Sequence, residues 1–164
     1  MEVPAKTILL QEGDVSKKVF LIEKGAVRAW FNHNGKDLTF QFFFENEVVA
    51  SIESFLKRTP SPVSIETLES SKIWWAYKAD ADLILEHIKN DPKLRDLLFH
   101  AIFERTFDYM KYFFATIRDT PQQRYLDLIK ARPQIARRLP QHYIASYLGI
   151  TTVHLSRIKR NLVK

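Results

Sequence analysis

Two hydrophobic rhythms divide the chain. Up to about residue 78 the apolar positions come in short runs separated by turn signals. Thr7-Ile8-Leu9-Leu10 is one such run, and Gln11-Glu12-Gly13-Asp14 turns it. Val19-Phe20-Leu21-Ile22 follows, then Glu23-Lys24-Gly25 turns into Ala26-Val27-Arg28-Ala29-Trp30-Phe31. Asn32-His33-Asn34-Gly35 is the strongest hairpin signal, because Asn-Gly accepts the positive φ of a tight two-residue turn. Leu38, Phe40, Phe42 and Phe44 alternate with Thr39, Gln41 and Phe43, the period of a half-buried strand. Val63 to Leu68 and Ile73 to Tyr77 complete the series. Short strands at this spacing predict a β-sandwich or barrel.

From Asp80 the period becomes helical. Asp80 is placed to cap a helix running to Asn90, with Leu83, Ile84 and His87 on one side. Asp91-Pro92 opens a long second helix. Along it Phe99, Ile102, Phe103, Thr106, Phe107, Met110, Phe113, Phe114 and Ile117 recur at three- and four-residue steps. That stripe is broader than one sheet needs for packing. It predicts pairing with the same helix of a second chain, through Phe99, Phe103, Phe107, Met110 and Phe114. Thr120-Pro121 caps and opens a helix to about Lys130, which Arg132-Pro133 ends. Two short helices follow, Gln141 to Leu148 and Thr151 to about Val163.

Those last two helices have the spacing of a helix-turn-helix. Ile144 and Leu148 face inward, and the small Ala145 allows close approach. Gly149 suits a left-handed turn residue, Ile150 plugs the corner, and Thr151 is placed as the cap. Leu155 and Ile158 pack back, leaving Thr152, Val153, Ser156, Arg157 and Arg160 pointing outward.

Charge sharpens this picture. From Thr120 to Lys164 there are nine basic residues and one acid, a net +8, whereas the first 119 residues carry a net −2 within the overall +6. A basic terminal module on a near-neutral body points to a polyanionic partner. The absence of Cys excludes a disulfide framework and Cys-ligated zinc or iron–sulfur centres. No apolar run reaches the roughly 18 residues of a membrane span, and the start lacks the pattern of a signal peptide, so the reading is a cytoplasmic protein with no membrane partner.

Taken in order, β-domain, long helix and helix-turn-helix resemble the CRP/FNR family of bacterial transcription regulators. The likeness is strongest in Tyr143 to Thr151 and Leu155 to Arg160. It extends to Leu9-Leu10-Gln11-Glu12-Gly13-Asp14 and Phe20-Leu21-Ile22-Glu23-Lys24-Gly25, which resemble the opening strands of a cyclic-nucleotide-binding domain. The resemblance implies an α+β architecture: a double-stranded β-helix (jelly roll) over 1–90, a dimerisation helix over 91–119 and a helix-turn-helix domain over 120–164. It further implies a homodimer on a pseudo-palindromic double-stranded DNA operator, with RNA polymerase as a further partner. Thr152, Val153 and Arg157 match the base-reading positions, and Arg157 has the fork that guanine accepts. Thr151, His154, Ser156, Lys159 and Arg160 match phosphate contacts.

The sequence departs from that family in three places. Ala50-Ser51 and Ser61-Pro62 stand where cyclic-nucleotide binders carry Gly-Glu and Arg-Ser, and Glu47 and Glu53 would repel a phosphate. The expectation is therefore no response to cAMP, with an effector of unknown identity, or none, at a pocket around Ser51, Glu53, Arg58 and Ser61. The wing after the recognition helix and the leading helix usual in the family are both missing from the sequence, which leaves open whether its ends are truncated. An enzyme is not expected. Of the five histidines only His33 falls in the strand region, there is no His-x-His pair, and no metal site or cofactor is predicted. The alternative is a ligand-binding β-roll whose helical tail binds protein rather than DNA.

Overall fold

The computed structural model describes residues 1–162. Its first half contains β1 (Glu2–Val3), β2 (Ile8–Leu10), β3 (Lys18–Lys24), β4 (Val27–His33), β5 (Lys36–Phe43), β6 (Val48–Val49), the short α1 (Ile52–Lys57), β7 (Ser64–Thr67) and β8 (Ser71–Tyr77). All pairings are antiparallel, in two sheets ordered β1-β8-β3-β6 and β2-β7-β4-β5. Successive strands mostly switch sheets, which gives an eight-stranded jelly roll. Leu10, Phe20, Ile22, Val27, Ala29, Phe43, Val49, Ile65 and Ile73 fill the space between the sheets. The β4–β5 turn uses Asn34 and Gly35 at φ 53° and 76°, as the Asn-Gly signal requires.

Strand β5 does not follow its apparent alternation. Thr39 and Gln41 are buried, and Phe40 is 46% exposed. A bulge between Ala29 and Trp30 pairs these with Gln41 and Thr39, so that Phe40 lies opposite neither and turns outward. Phe42, Phe43 and Phe44 are all buried, because the second face of β5 is covered as well.

The cover is helical. The chain continues through α2 (Lys78–Asn90), α3 (Pro92–Arg118), α4 (Pro121–Ala131), α5 (Pro133–Arg138), α6 (Gln141–Tyr147) and α7 (Thr152–Leu162). Helix α2 starts two residues before Asp80. Tyr77 is the N-cap, and Asp80 sits at the third helical position, accepting from the Tyr77 N–H at 3.3 Å. At α3 the Asp91 side chain accepts from the N–H groups of Lys93 and Leu94, and Pro92 opens the first turn. Thr120 and Pro121 do the same for α4, with Thr120 Oγ1 accepting from Gln123 N at 3.2 Å. Pro133 does end α4, but it also starts α5, a helix that the sequence pattern does not predict.

Tyr125, Ile135, Leu139, Tyr143, Ile144, Ala145, Leu148, Leu155 and Ile158 form one buried cluster with Ala26, Phe42, Phe44 and Leu68 of the roll. Polar contacts ring that junction. Ser146 Oγ accepts from Thr39 N at 2.9 Å and donates to Asp37 O at 2.7 Å. Arg132, the single residue between α4 and α5, donates to Phe42 O at 3.0 Å and to Glu47 at 2.6 Å. Arg138 bridges Glu45, at 2.7 Å, and Glu69. Beneath α6 the buried Arg28 pairs with Glu66 at 2.7 Å, and its guanidinium lies 4.3 Å from the Tyr143 ring centroid.

Candidate nucleic-acid interface

The last two helices are positioned by their apolar residues. Ile144, Ala145 and Leu148 of the α6 segment and Leu155 and Ile158 of α7 are each under 5% exposed. Gly149 adopts φ +67° at the turn, a conformation that costs a glycine little. Ile150 packs against the same cluster from the corner, and its N–H closes the turn on Ala145 O at 3.0 Å. Thr151 Oγ1 accepts from His154 N at 3.1 Å and so caps α7.

Burying Leu155 and Ile158 turns the remaining face of α7 outward. Thr151, Thr152, Val153, His154, Ser156, Arg157 and Arg160 are exposed, and Lys159 is half-buried. Three cations, four other polar side chains and one apolar side chain share this surface, with Val153 at 60% exposure. No ion pair engages Arg157, Lys159 or Arg160 among the described residues. Arg132 and Arg138 belong to the same basic segment, but roll carboxylates take them up. The charge count of that segment therefore overstates what it presents to a polyanion. Sequence reasoning missed these bridges because Arg138 and Glu45 lie 93 residues apart.

Helix α3 has no buried residue over its 27 positions. Phe99, Phe103, Phe107, Met110 and Phe114 are 47–58% exposed along one side. The roll does not cover them. On the other side, Tyr109 and Tyr112 donate to Gln41 Oε1 at 2.6 Å and to Tyr147 O at 2.7 Å.

The four residues of the expected effector pocket have separate environments. Ser51 is buried at the start of α1, and Glu53 is exposed and pairs with Lys57 at 2.8 Å. Arg58 is exposed and ends α1 at φ +60°. Ser61 is buried; its N–H donates to Asp14 O at 2.8 Å and its hydroxyl to Val63 O at 2.6 Å. Among the described residues no hydrogen bond or ion pair joins any two of the four. A cleft of about 730 Å³ along Ile8 to Phe20 is lined by none of them. Among the described residues no three His or carboxylate side chains gather as for a metal ion, and no helix is long and apolar enough to cross a membrane.

An eight-stranded jelly roll followed by helices is the architecture these elements define. Residues 1–87 match the cyclic nucleotide-binding domain family, more than half of the chain, and the chain belongs to that family. FixK2 of Bradyrhizobium japonicum is similar in fold, with a TM-score of 0.77 at 14% identity over 99% of this chain and 82% of that one. So is the c-di-GMP-responsive global regulator CLP of Xanthomonas campestris, which links cell–cell signalling to virulence gene expression (TM-score 0.76, 14% identity, 99% and 84% covered). A cyclic nucleotide-binding domain-containing protein of Listeria monocytogenes aligns at TM-score 0.72 and 22% identity, over 99% of this chain and 80% of its own. At these identities the likeness is one of fold. No curated protein matches the chain.

Proposed function

We propose that the protein is a transcription regulator of the CRP/FNR type that binds a pseudo-palindromic DNA operator as a homodimer and needs no cAMP. The observation that carries this reading is α7. Its two apolar residues are buried, and Thr152, Val153, Ser156, Arg157 and Arg160 stand exposed behind a glycine turn. A helix so held enters a major groove with its polar face first. Thr152, Val153 and Arg157 read bases, while Thr151, His154, Ser156, Lys159 and Arg160 hold phosphates. The fold neighbours among regulators support the same class.

The exposed stripe of α3 supports the dimer, since a row of phenylalanines in water is an association surface. Two copies would set half-sites about one helical turn apart. Loss of cAMP recognition follows from the Ser61-Pro62 segment: the Ser61 N–H is already engaged by Asp14, and proline has none to give. The role is binding, not catalysis.

Selection from random-sequence duplexes by fluorescence anisotropy, at two salt concentrations and without nucleotide, tests the reading. A two-fold symmetric motif with salt-dependent affinity is expected. An absence of binding at low salt would transfer the helical tail to a protein partner. On the selected operator, Arg157→Ala should weaken specific binding by roughly 1–3 kcal/mol and relax preference at one position. Phe107→Glu should convert the dimer to single chains in sedimentation equilibrium; an unchanged mass would remove α3 from the interface.

A further inference from the structure

Where β5, α3, α4 and α6 meet, a cleft of about 620 Å³ opens that takes no part in the proposed DNA contact. Its volume lies within the range of small-molecule sites. One wall is aromatic. Phe40 stacks on Tyr109 with ring centroids 5.8 Å apart, and Tyr112 leans on Tyr147 at 4.9 Å. The hydroxyls of Tyr109 and Tyr112 are already used in holding α3 to β5 and α6, so these rings are fixed in place.

The other wall is charged, with a net excess of one cation. Five basic and four acidic side chains line the cleft. Three of the acids face basic neighbours: Glu47 meets Arg132, Asp119 meets Arg118, and Asp108 meets Lys111. The fourth, Asp127, accepts from Gln123 Nε2 at 3.0 Å. Arg105 and Arg124 are left with no ion-pair partner among the described residues. Arg105 lies over the Phe43 ring at 5.4 Å. Arg124 is the sharper case: its Nε–H is buried and meets no acceptor, one of only two such side-chain atoms among the described residues. A buried donor left unpaired costs on the order of 1–3 kcal/mol, more when charged. The rest of the Arg124 side chain lines the cleft and brings its charge there.

The cleft survives dimerisation of the kind proposed. At 100° per residue, Arg105, Asp108 and Tyr112 lie on the side of α3 opposite Phe103, Phe107, Met110 and Phe114. It is also separate from the Ser51–Ser61 segment, which contributes none of its lining.

We propose that this cleft binds a small organic anion, a phosphate or carboxylate carried on a planar ring. The Arg124 fork receives the anion, Arg105 adds the second charge, and the ring lies against Phe40 and Tyr109. A guanidinium suits both anions because its parallel N–H groups match two oxygens at once.

Isothermal titration of the full chain, without DNA, tests this with phenyl phosphate, benzoate, inorganic phosphate and phenol as probes. Saturable binding of phenyl phosphate or benzoate, one per chain, is expected. Inorganic phosphate and phenol should each bind at least about tenfold more weakly, because each supplies half of the recognition. Arg124→Gln should weaken the ring anion by about tenfold or more and Arg105→Gln by less, while Arg58→Gln, in the roll, should change nothing. Should Arg124→Gln fail to fold, Arg124→Lys keeps the charge and removes the planar guanidinium, and the same loss is expected. No saturation by either ring anion at millimolar concentration would overturn the proposal. So would binding that survives both Arg124 variants, or that disappears with Arg58→Gln.

Discussion

The two buried clusters of this molecule are built differently. Between the sheets the clustered side chains are apolar, from Leu10 to Ile73, with buried serines and threonines such as Ser16, Ser54 and Thr67 elsewhere in the roll. Between roll and helices an apolar centre around Phe42, Phe44, Tyr143 and Leu148 is ringed by Arg28–Glu66, Arg132–Glu47 and Arg138 with Glu45 and Glu69. None of the side chains in the first cluster carries a charge. The second adds charge, and its Glu45, held down by Arg138, gives it a response to acid.

Three substitutions break or sharpen the contrast. The largest effect belongs to Phe42→Ala. Phe42 is 1% exposed and belongs to the junction cluster. Its loss should cost about 3–5 kcal/mol in urea denaturation. A cost below about 1 kcal/mol would mean that the helices do not seat on β5.

Glu66→Ala comes next, at about 3 kcal/mol, because it strands the buried Arg28 beside the more exposed Asp37. The double variant Arg28→Met with Glu66→Leu should recover most of that loss. If it does not, the pair contributes more than its own neutralisation.

The smallest effect is at the rim. The Arg138 guanidinium beside Glu45 holds that carboxyl down to about 2, with the Gly25 N–H as a second donor at 2.8 Å. A depressed carboxylate stabilises the fold fully above its ordinary value of 4.5, and that contribution fades as the pH falls from there towards 2. Solvent screening keeps it under about 1 kcal/mol. Glu45→Gln should therefore differ from the parent chain above pH 4.5 and converge with it towards pH 2. A gap that stays constant across that range would assign the effect to packing.

Much of the architecture is legible in local sequence. Asn34-Gly35, Asp91-Pro92 and Thr120-Pro121 each carry a physical instruction that needs no distant partner, and each acts where it stands. The α6–turn–α7 arrangement is legible for the same reason: Gly149, Thr151, Leu155 and Ile158 are spaced along one short segment. Features that depend on tertiary neighbours are hidden. Thr39 and Gln41 read as the solvent side of β5 until a bulge and a covering helix reverse them. Pro133 reads as a stop because its second role, opening α5, shows only when Arg132 is seen at both helix ends. The lone Nε–H of Arg124 has no sequence signal at all.

Arg132 has one more consequence, which is mechanical. It is the only residue between α4 and α5, and its side chain is tied to Phe42 and Glu47. The pivot of the two helices is therefore also their anchor. Swinging α5, α6 and α7 against α4 turns the φ and ψ of Arg132, the same residue whose guanidinium holds Glu47. Arg138 and Ser146 tie α5 and α6 to the roll as well, so a hinge at Arg132 opens only if those contacts let go together with its own.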